Sequence, residues 1–209
     1  MSKKSTQPPK GTDSYKVGVL ALQGSFQEHL AILKGIGAEV AEVRLPGQLE
    51  GLDGLIIPGG ESTTIGKLLV DFDLLGPLKK FGKEKVIWGT CAGAILLSRD
   101  AHRKQPLLEL MDITVDRNAY GRQIASFETQ LEIPALKDIS PGSAEFHGIF
   151  IRAPLITSVD GDAVVLSSLP DGRIVAARQN NLLATAFHPE LTDDDRVHRY
   201  FLQIIEDNG

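Results

Sequence analysis

The sequence predicts an α/β fold: a single-domain three-layer sandwich with a mostly parallel central sheet, helices on both faces and an antiparallel strand extension. Three observations predict it. Short apolar runs alternate with helical patterns from residue 16 to residue 97, as in a parallel sheet covered on both sides. From Ile113 the chain becomes rich in extended stretches, with Asp171-Gly172 as a hairpin signal between two of them. Near the C-terminus Val197, Tyr200, Phe201, Ile204 and Ile205 form one apolar stripe at helical spacing.

Residues 1–15 are polar, carry paired prolines and lack apolar periodicity, so they read as a disordered tail ahead of a domain spanning 16–209. Residues 16–22 (KVGVLAL) read as a buried strand, with Gln23-Gly24 as the turn. Ser25 and Glu28 have capping-box spacing, and Phe26, Leu30 and Leu33 give the next helix its stripe. Gly35 or Gly37 ends that helix. Strands follow at 38–44 and 54–57, the latter broken by Pro58-Gly59-Gly60. Helices are expected from about 62–64 through Leu69 and over 74–81, then a strand at 85–88 and a helix at 92–97. Extended stretches cover 113–116, 124–133, 146–152, 163–169, 173–179 and 182–187. Thr192 stands where it could cap the last helix, with residues 193–195 at its positive end.

The chain has 209 residues, 42% of them apolar, and a net charge of −5. That length supports a core without staples. The negative balance argues against a general nucleic-acid binder, and no stretch is apolar enough to span or coat a membrane. A single cysteine rules out an intramolecular disulfide and suits a reducing cytosol. The N-terminus lacks the apolar stretch of a signal peptide, so a cytoplasmic location is expected.

Residues 86–95 (VIWGTCAGAI) read as strand, Gly-x-Cys-x-Gly, helix. This is the layout of a nucleophile elbow with sulfur in place of oxygen. Gly89 and Gly93 would let strand, turn and helix pack closely. Cys91 would stand at a helix N-terminus, where the partial positive charge favours a thiolate. The Ala92 amide would face an oxyanion. A buried structural cysteine beside a glycine-rich turn is the other reading of the motif alone.

His188-Pro189-Glu190 follows an apolar strand. Proline biases the histidine to an extended conformation, and residues two apart then share a face. His188 could act as base and then acid, with Glu190 steadying the imidazole. Taken singly, a surface histidine and a helix-preceding glutamate are as common. Residues 58–64 (PGGESTT) could offer backbone amides to an anion; they lack the Gly-Lys-Ser/Thr ending of a P-loop. His29, His102, His147 and His198 are scattered and read as surface or locally satisfied side chains, so no metal site is expected.

On these residues the chain resembles the class I (triad) glutamine amidotransferases, and most closely the glutaminase branch that serves pyridoxal 5′-phosphate (vitamin B6) synthesis. The stretches that carry the resemblance are 17–24 (VGVLALQG), 58–64 (PGGESTT), 88–93 (WGTCAG), 117–123 (RNAYGRQ), 150–154 (FIRAP) and 187–191 (FHPEL). It implies hydrolysis of L-glutamine to glutamate and ammonia without a cofactor, with Cys91, His188 and Glu190 as the catalytic triad. It implies an oxyanion hole from the Gly60 and Ala92 amides. Gly60, Glu61, Ser62, Arg117, Ile151 and Arg152 would hold glutamine. It also implies docking on a separate synthase subunit that receives the ammonia and switches the glutaminase on through the glycine-rich strand, with Gln23 near the contact. Glu109 departs from the pattern, standing where the family carries glycine. Two competitors remain at this point: another cysteine hydrolase of the fold, such as a γ-glutamyl peptidase or a stress protein, and a catalytically silent partner.

Overall fold

Apolar residues at successive positions of the early strands supply two separate cores. The computed structural model describes residues 15–117, 126–140 and 142–209. Strands β1 (Lys16–Leu20), β2 (Glu39–Val43), β3 (Gly54–Ile57) and β4 (Val86–Thr90) carry Val17, Val19, Ile56, Val86 and Trp88 to one face of the sheet. There they meet Leu30 and Leu33 of helix α1 (Phe26–Gly35). Leu20, Leu55, Ile57 and Ile87 point to the other face, onto Ile65 and Leu69 of α2 (Ser62–Asp71), Leu78 of α3 (Leu75–Glu84) and the all-buried α4 (Ala92–Leu97). Strands buried on both sides are what the continuous apolar runs require.

Beyond α4 come β5 (Ser98–Asp100), β6 (Met111–Asp116), β7 (Ser126–Glu132), β8 (Glu145–Ile151), β9 (Leu155–Val159), β10 (Val164–Ser168), β11 (Ile174–Gln179), β12 (Leu182–Thr185) and helix α5 (Arg196–Asn208). The ten-stranded sheet runs β2-β1-β3-β4-β12-β11-β9-β6-β5, with β10 paired to β11. From β2 to β12 every pairing is parallel; β12-β11, β11-β9 and β9-β6 are antiparallel. The expected three-layer architecture and its antiparallel extension are both present. Strands β7 and β8 form a separate antiparallel ribbon, whose Phe146 and Phe150 join the α1/α5 core. The stripe of α5 is buried along its length, as its spacing predicts.

Several local expectations change. Ser25 precedes α1 without making a capping hydrogen bond, so the Ser25/Glu28 box does not form. Gly37, at φ +92°, follows the end of α1, and the Ala38 amide donates to the Leu33 carbonyl (3.0 Å), a glycine-terminated helix end. Thr192 lies before α5 rather than capping it; Asp195 is the capping position, and the carboxylates of Asp194 and Asp195 bind Arg196 and Arg199. Strands β5 and β9 are additional: β5 has only three residues, and β9 is mostly part-exposed, so neither shows a strong period. Glu109 takes φ +54°, the left-handed conformation that the expected glycine would adopt freely, and its carboxylate pairs with Lys79 (2.6 Å). The turn therefore survives the substitution. Of the tail read over 1–15, only Tyr15 is described; it packs on the core and its carbonyl accepts from Glu39 N (3.1 Å).

Candidate active site

Cys91 sits where β4 turns into α4, at φ +48°, ψ −101°. A non-glycine residue rarely adopts this conformation, which stores about 1–3 kcal/mol and appears mostly where function requires it. Its amide donates to the Thr185 carbonyl at the end of β12 (2.7 Å). The flanking glycines are sterically required. A Cβ on Gly89 would lie 2.4 Å from the Gly93 carbonyl carbon, and one on Gly93 would lie 2.0 Å from the Ile57 carbonyl oxygen. Strand, elbow and helix touch through bare backbone, as the Gly-x-Cys-x-Gly spacing predicts.

His188 follows β12, and its backbone amide donates to the Ile149 carbonyl of β8 (2.8 Å). The imidazole faces Cys91 on one side, and its Nδ1 meets Glu190 Oε1 at 2.7 Å on the other. Burial works against the charged ring. The hydrogen bonds and negative charges of Cys91 and Glu190 outweigh it and raise the His188 pKa to about 10. Glu190, in the short 3-10 turn Pro189–Leu191, is fully enclosed. Burial pushes its carboxyl up, but hydrogen bonds from His188 and Ser25 and the neighbouring imidazoles bring it down to about 2. The Ser25 hydroxyl donates to Oε1 at 2.6 Å.

Gly59 backs this pair. A Cβ there would lie 2.5 Å from His188 Cε1 and 3.4 Å from Cys91 Cβ. Gly59→Ala must displace the imidazole while leaving the buried core intact. We expect it to lower kcat by about 100-fold, as a misplacement of roughly 1 Å does, with a thermal midpoint close to wild type. Steady-state kinetics and a melting curve check both halves.

The loop from Pro58 continues into α2 and is clamped by the β1–α1 turn. The Ser25 amide donates to the Gly59 carbonyl (3.1 Å), and Gln23 Oε1 accepts from Glu61 N (2.8 Å). Gly60 packs against Gln23, where a Cβ would lie 2.5 Å from Oε1. Ala92 is the first residue of α4, so its amide has no partner within the helix. The Glu61 side chain caps α2, accepting from Thr64 N (2.7 Å) and from the Thr63 and Thr64 hydroxyls. Those hydroxyl bonds lead in bringing its pKa to about 2. Arg117 reaches back to Glu61 Oε1 (2.7 Å), which ties the end of β6 to the loop. Ser62 is buried, and its hydroxyl donates to Gln105 Oε1 (3.3 Å).

The structure thus brings Cys91, His188, Glu190, Gly60, Ala92, Glu61, Ser62 and Arg117 to one end of the parallel strands. Ile151 and Arg152 are exposed at the end of β8, two and three residues beyond the Ile149 carbonyl that binds His188 N. Arg152 has φ +46°, and no hydrogen bond or ion pair joins it to the triad among the described residues. Asn118 to Gln123, the rest of the 117–123 stretch, lie outside the described residues.

Sequence reasoning missed Ser25, whose hydroxyl serves Glu190 instead of the helix end. Of the two alternatives for His29 and His198, surface or locally satisfied, the first fails: both are fully buried beneath the triad, with His29 Nδ1 2.9 Å from His198 Nε2. The available signal was the helical spacing of His29 with Phe26, Leu30 and Leu33. Among the described residues no group of three or more His, Cys, Asp or Glu is arranged for a metal, and no helix is long and apolar enough to cross a membrane.

Residues 19–207 match the family model described as the SNO glutamine amidotransferase family. A protein of Herpetosiphon aurantiacus named pyridoxal 5′-phosphate synthase subunit PdxT is 59% identical over 89% of this chain and 98% of its own length. One of the same name from Chloroflexus aurantiacus is 54% identical over 90% of this chain and 99% of its own length. A crystal structure described as a glutamine amidotransferase superposes with a TM-score of 0.82 at 47% identity, covering 90% of this chain and 98% of that one.

Proposed function

The chain belongs to the SNO glutamine amidotransferase family, and on that premise we propose that it is the glutaminase subunit of a pyridoxal 5′-phosphate synthase, hydrolysing L-glutamine to L-glutamate and ammonia. The observation that carries the chemistry is Cys91, on a strained elbow, facing an imidazole that Glu190 holds by a 2.7 Å hydrogen bond.

With His188 already holding the second ring proton, as its raised pKa requires, the Cys91 sulfur attacks the side-chain amide carbon of glutamine as the thiolate of that ion pair. The amides of Gly60 and Ala92 receive the charge that develops on oxygen. As the tetrahedral adduct collapses, His188 gives that proton to the leaving nitrogen, so ammonia departs and a γ-glutamyl thioester remains. His188 then takes a proton from water, the hydroxide attacks the thioester, and the ion pair is restored as glutamate leaves. Glu190 balances the imidazolium in each half.

Glu61, Ser62, Arg117, Ile151 and Arg152 hold the substrate in this reading. Arg117 is the side chain suited to the glutamine α-carboxylate, because guanidinium and carboxylate form paired charge-assisted bonds. Its link to Glu61 presets it near the elbow. Arg117→Ala is expected to raise KM by about 10- to 100-fold, the worth of a charged hydrogen bond, with a smaller change in kcat. Initial rates against glutamine concentration read the split, and an unchanged KM would remove Arg117 from the list.

Ammonia at neutral pH is mostly ammonium, which is not nucleophilic, so a sheltered transfer to a docked synthase subunit is the chemically sound use of the product. The lone thiol suits a reducing cytoplasm. Nothing in the charge balance favours nucleic acid, and the described helices offer no membrane span. The deciding experiment mixes the purified chain with the synthase subunit and follows glutamate. Glutamine-dependent glutamate formation that rises on mixing supports the reading; none, with both proteins folded, overturns it.

A further inference from the structure

Behind the triad lies a buried polar layer that amide cleavage as described does not use. Glu190 Oε1 already accepts two hydrogen bonds, from His188 and Ser25, whereas the equally buried Oε2 has none. His29 Nε2 lies 3.6 Å from it. The same nitrogen lies 3.3 Å from Thr90 Oγ1, and His29 Nδ1 is 2.9 Å from His198 Nε2. Trp88 packs edge-on against both imidazoles, at 5.5 and 4.9 Å between centroids, and fixes their planes. His198 Nδ1 is buried and unpartnered.

These contacts favour one placement of the protons. Burial holds both rings neutral, with His29 at about 4 and His198 well below its ordinary value. Two neutral rings in contact share one N–H. If His29 Nδ1 carried it, His198 would have to keep its proton on Nδ1, a buried donor without an acceptor. His29 would also turn a lone pair on the Glu190 carboxylate. If His198 Nε2 carries it, both conflicts vanish: His198 Nδ1 is then a bare lone pair, the cheaper group to leave unpaired, and the remaining His29 proton lies on Nε2, between Thr90 Oγ1 and Glu190 Oε2.

We propose that His29, set in its Nε2-protonated tautomer by His198, is a positioning residue of the glutaminase site that presents an N–H to the free Oε2 of Glu190 and so holds the carboxylate in the plane that His188 needs. It touches neither substrate nor reacting atoms; it acts through Glu190, and its catalytic part rests on the glutaminase reading above.

Three measurements on the full chain test this, the kinetic ones with the synthase subunit present. In wild type, two-bond proton–nitrogen correlations should show His29 protonated on Nε2 with Nδ1 bare; an Nδ1-protonated ring overturns the proposal without reference to activity. His29→Leu should lower kcat by about 10- to 100-fold, the usual effect of removing a group that orients a catalytic ligand, with KM within a few-fold of wild type. His29→Gln, whose amide nitrogen overlies Nε2, should restore most of that loss. Equal losses in a folded Leu and a folded Gln variant would mean that His29 is only packing, and overturn the proposal. Cys91→Ala run alongside separates the cases: if it stays active, the glutaminase reading itself has failed, whereas an inactive Cys91→Ala beside a fully active His29→Leu defeats the positioning role alone.

Discussion

Cys91→Ala is expected to abolish glutamine-dependent ammonia release, by about 10⁴-fold or more, because loss of the nucleophile removes the covalent route entirely. The fold should remain, since alanine keeps the Cβ and the site loses only a sulfur that is almost fully enclosed. A companion variant gives this prediction a structural edge. Cys91 has φ +48° and ψ −101°, a backbone that any Cβ strains. Glycine ordinarily destabilises an ordered position by roughly 0.5–1 kcal/mol relative to alanine. At this elbow the sign should reverse: relief of about 1–3 kcal/mol of strain makes Cys91→Gly more stable than Cys91→Ala by about 1 kcal/mol. Both variants should be dead and both folded. Chemical denaturation compares their stabilities, and an ammonia assay with the synthase present compares their activities. Full activity in Cys91→Ala would end the enzymatic reading. Lower stability in the glycine variant would mean that the elbow is unstrained.

The legible part of this site was local. The elbow appears as Gly-x-Cys-x-Gly because its close approaches demand missing side chains at fixed positions, Gly89 against Gly93 and Gly93 against Ile57 of β3. His188 and Glu190 are two apart after a strand and do meet, although through the 3-10 turn Pro189–Leu191 and not through the extended segment that the spacing suggests. Parallel strands buried on both faces leave unbroken apolar runs, which is why β3 and α4 are read at their observed bounds. The illegible part depends on distant partners. Ser25 has the spacing of a helix cap, yet its hydroxyl goes to a carboxylate 165 residues away. His29 and His198 are 169 residues apart and read as unrelated until α1 and α5 pack on the same face of the sheet. The family pattern points Glu61 at substrate; in the fold its carboxylate caps α2 and binds Arg117, a pairing that no local motif encodes. Ile151 and Arg152 remain assigned by resemblance, at the exposed end of β8.

Glu190→Gln should be nearly as damaging as loss of the nucleophile, although it changes one atom. In the native site Glu190 Oε1 accepts from both His188 Nδ1 and Ser25 Oγ. A glutamine carbonyl placed there keeps both bonds but loses the charge that, with Cys91, raises the His188 pKa to about 10. A glutamine NH2 placed there faces two donors and forces the His188 proton to Nε2, where the ring can no longer accept from Cys91. Either way kcat should fall by about 10³- to 10⁴-fold, as when the acid of a triad becomes an amide. The pH dependence of stability gives an independent check. The Glu190 pKa is lowered from 4.5 to about 2 on folding, so its contribution is complete above pH 4.5 and is lost as pH falls through about 2. The His188 pKa is raised from 6.5 to about 10, so its contribution is complete below pH 6.5 and is lost as pH rises through about 10. Wild type should therefore exceed Glu190→Gln in stability by the widest margin between those limits, with the gap closing at both ends. Denaturation midpoints of the two proteins across pH measure that gap directly. A gap that stays constant with pH would mean that the carboxylate and imidazole are not a charged pair in the folded protein, and that the proton relay from Cys91 lacks its counter-ion.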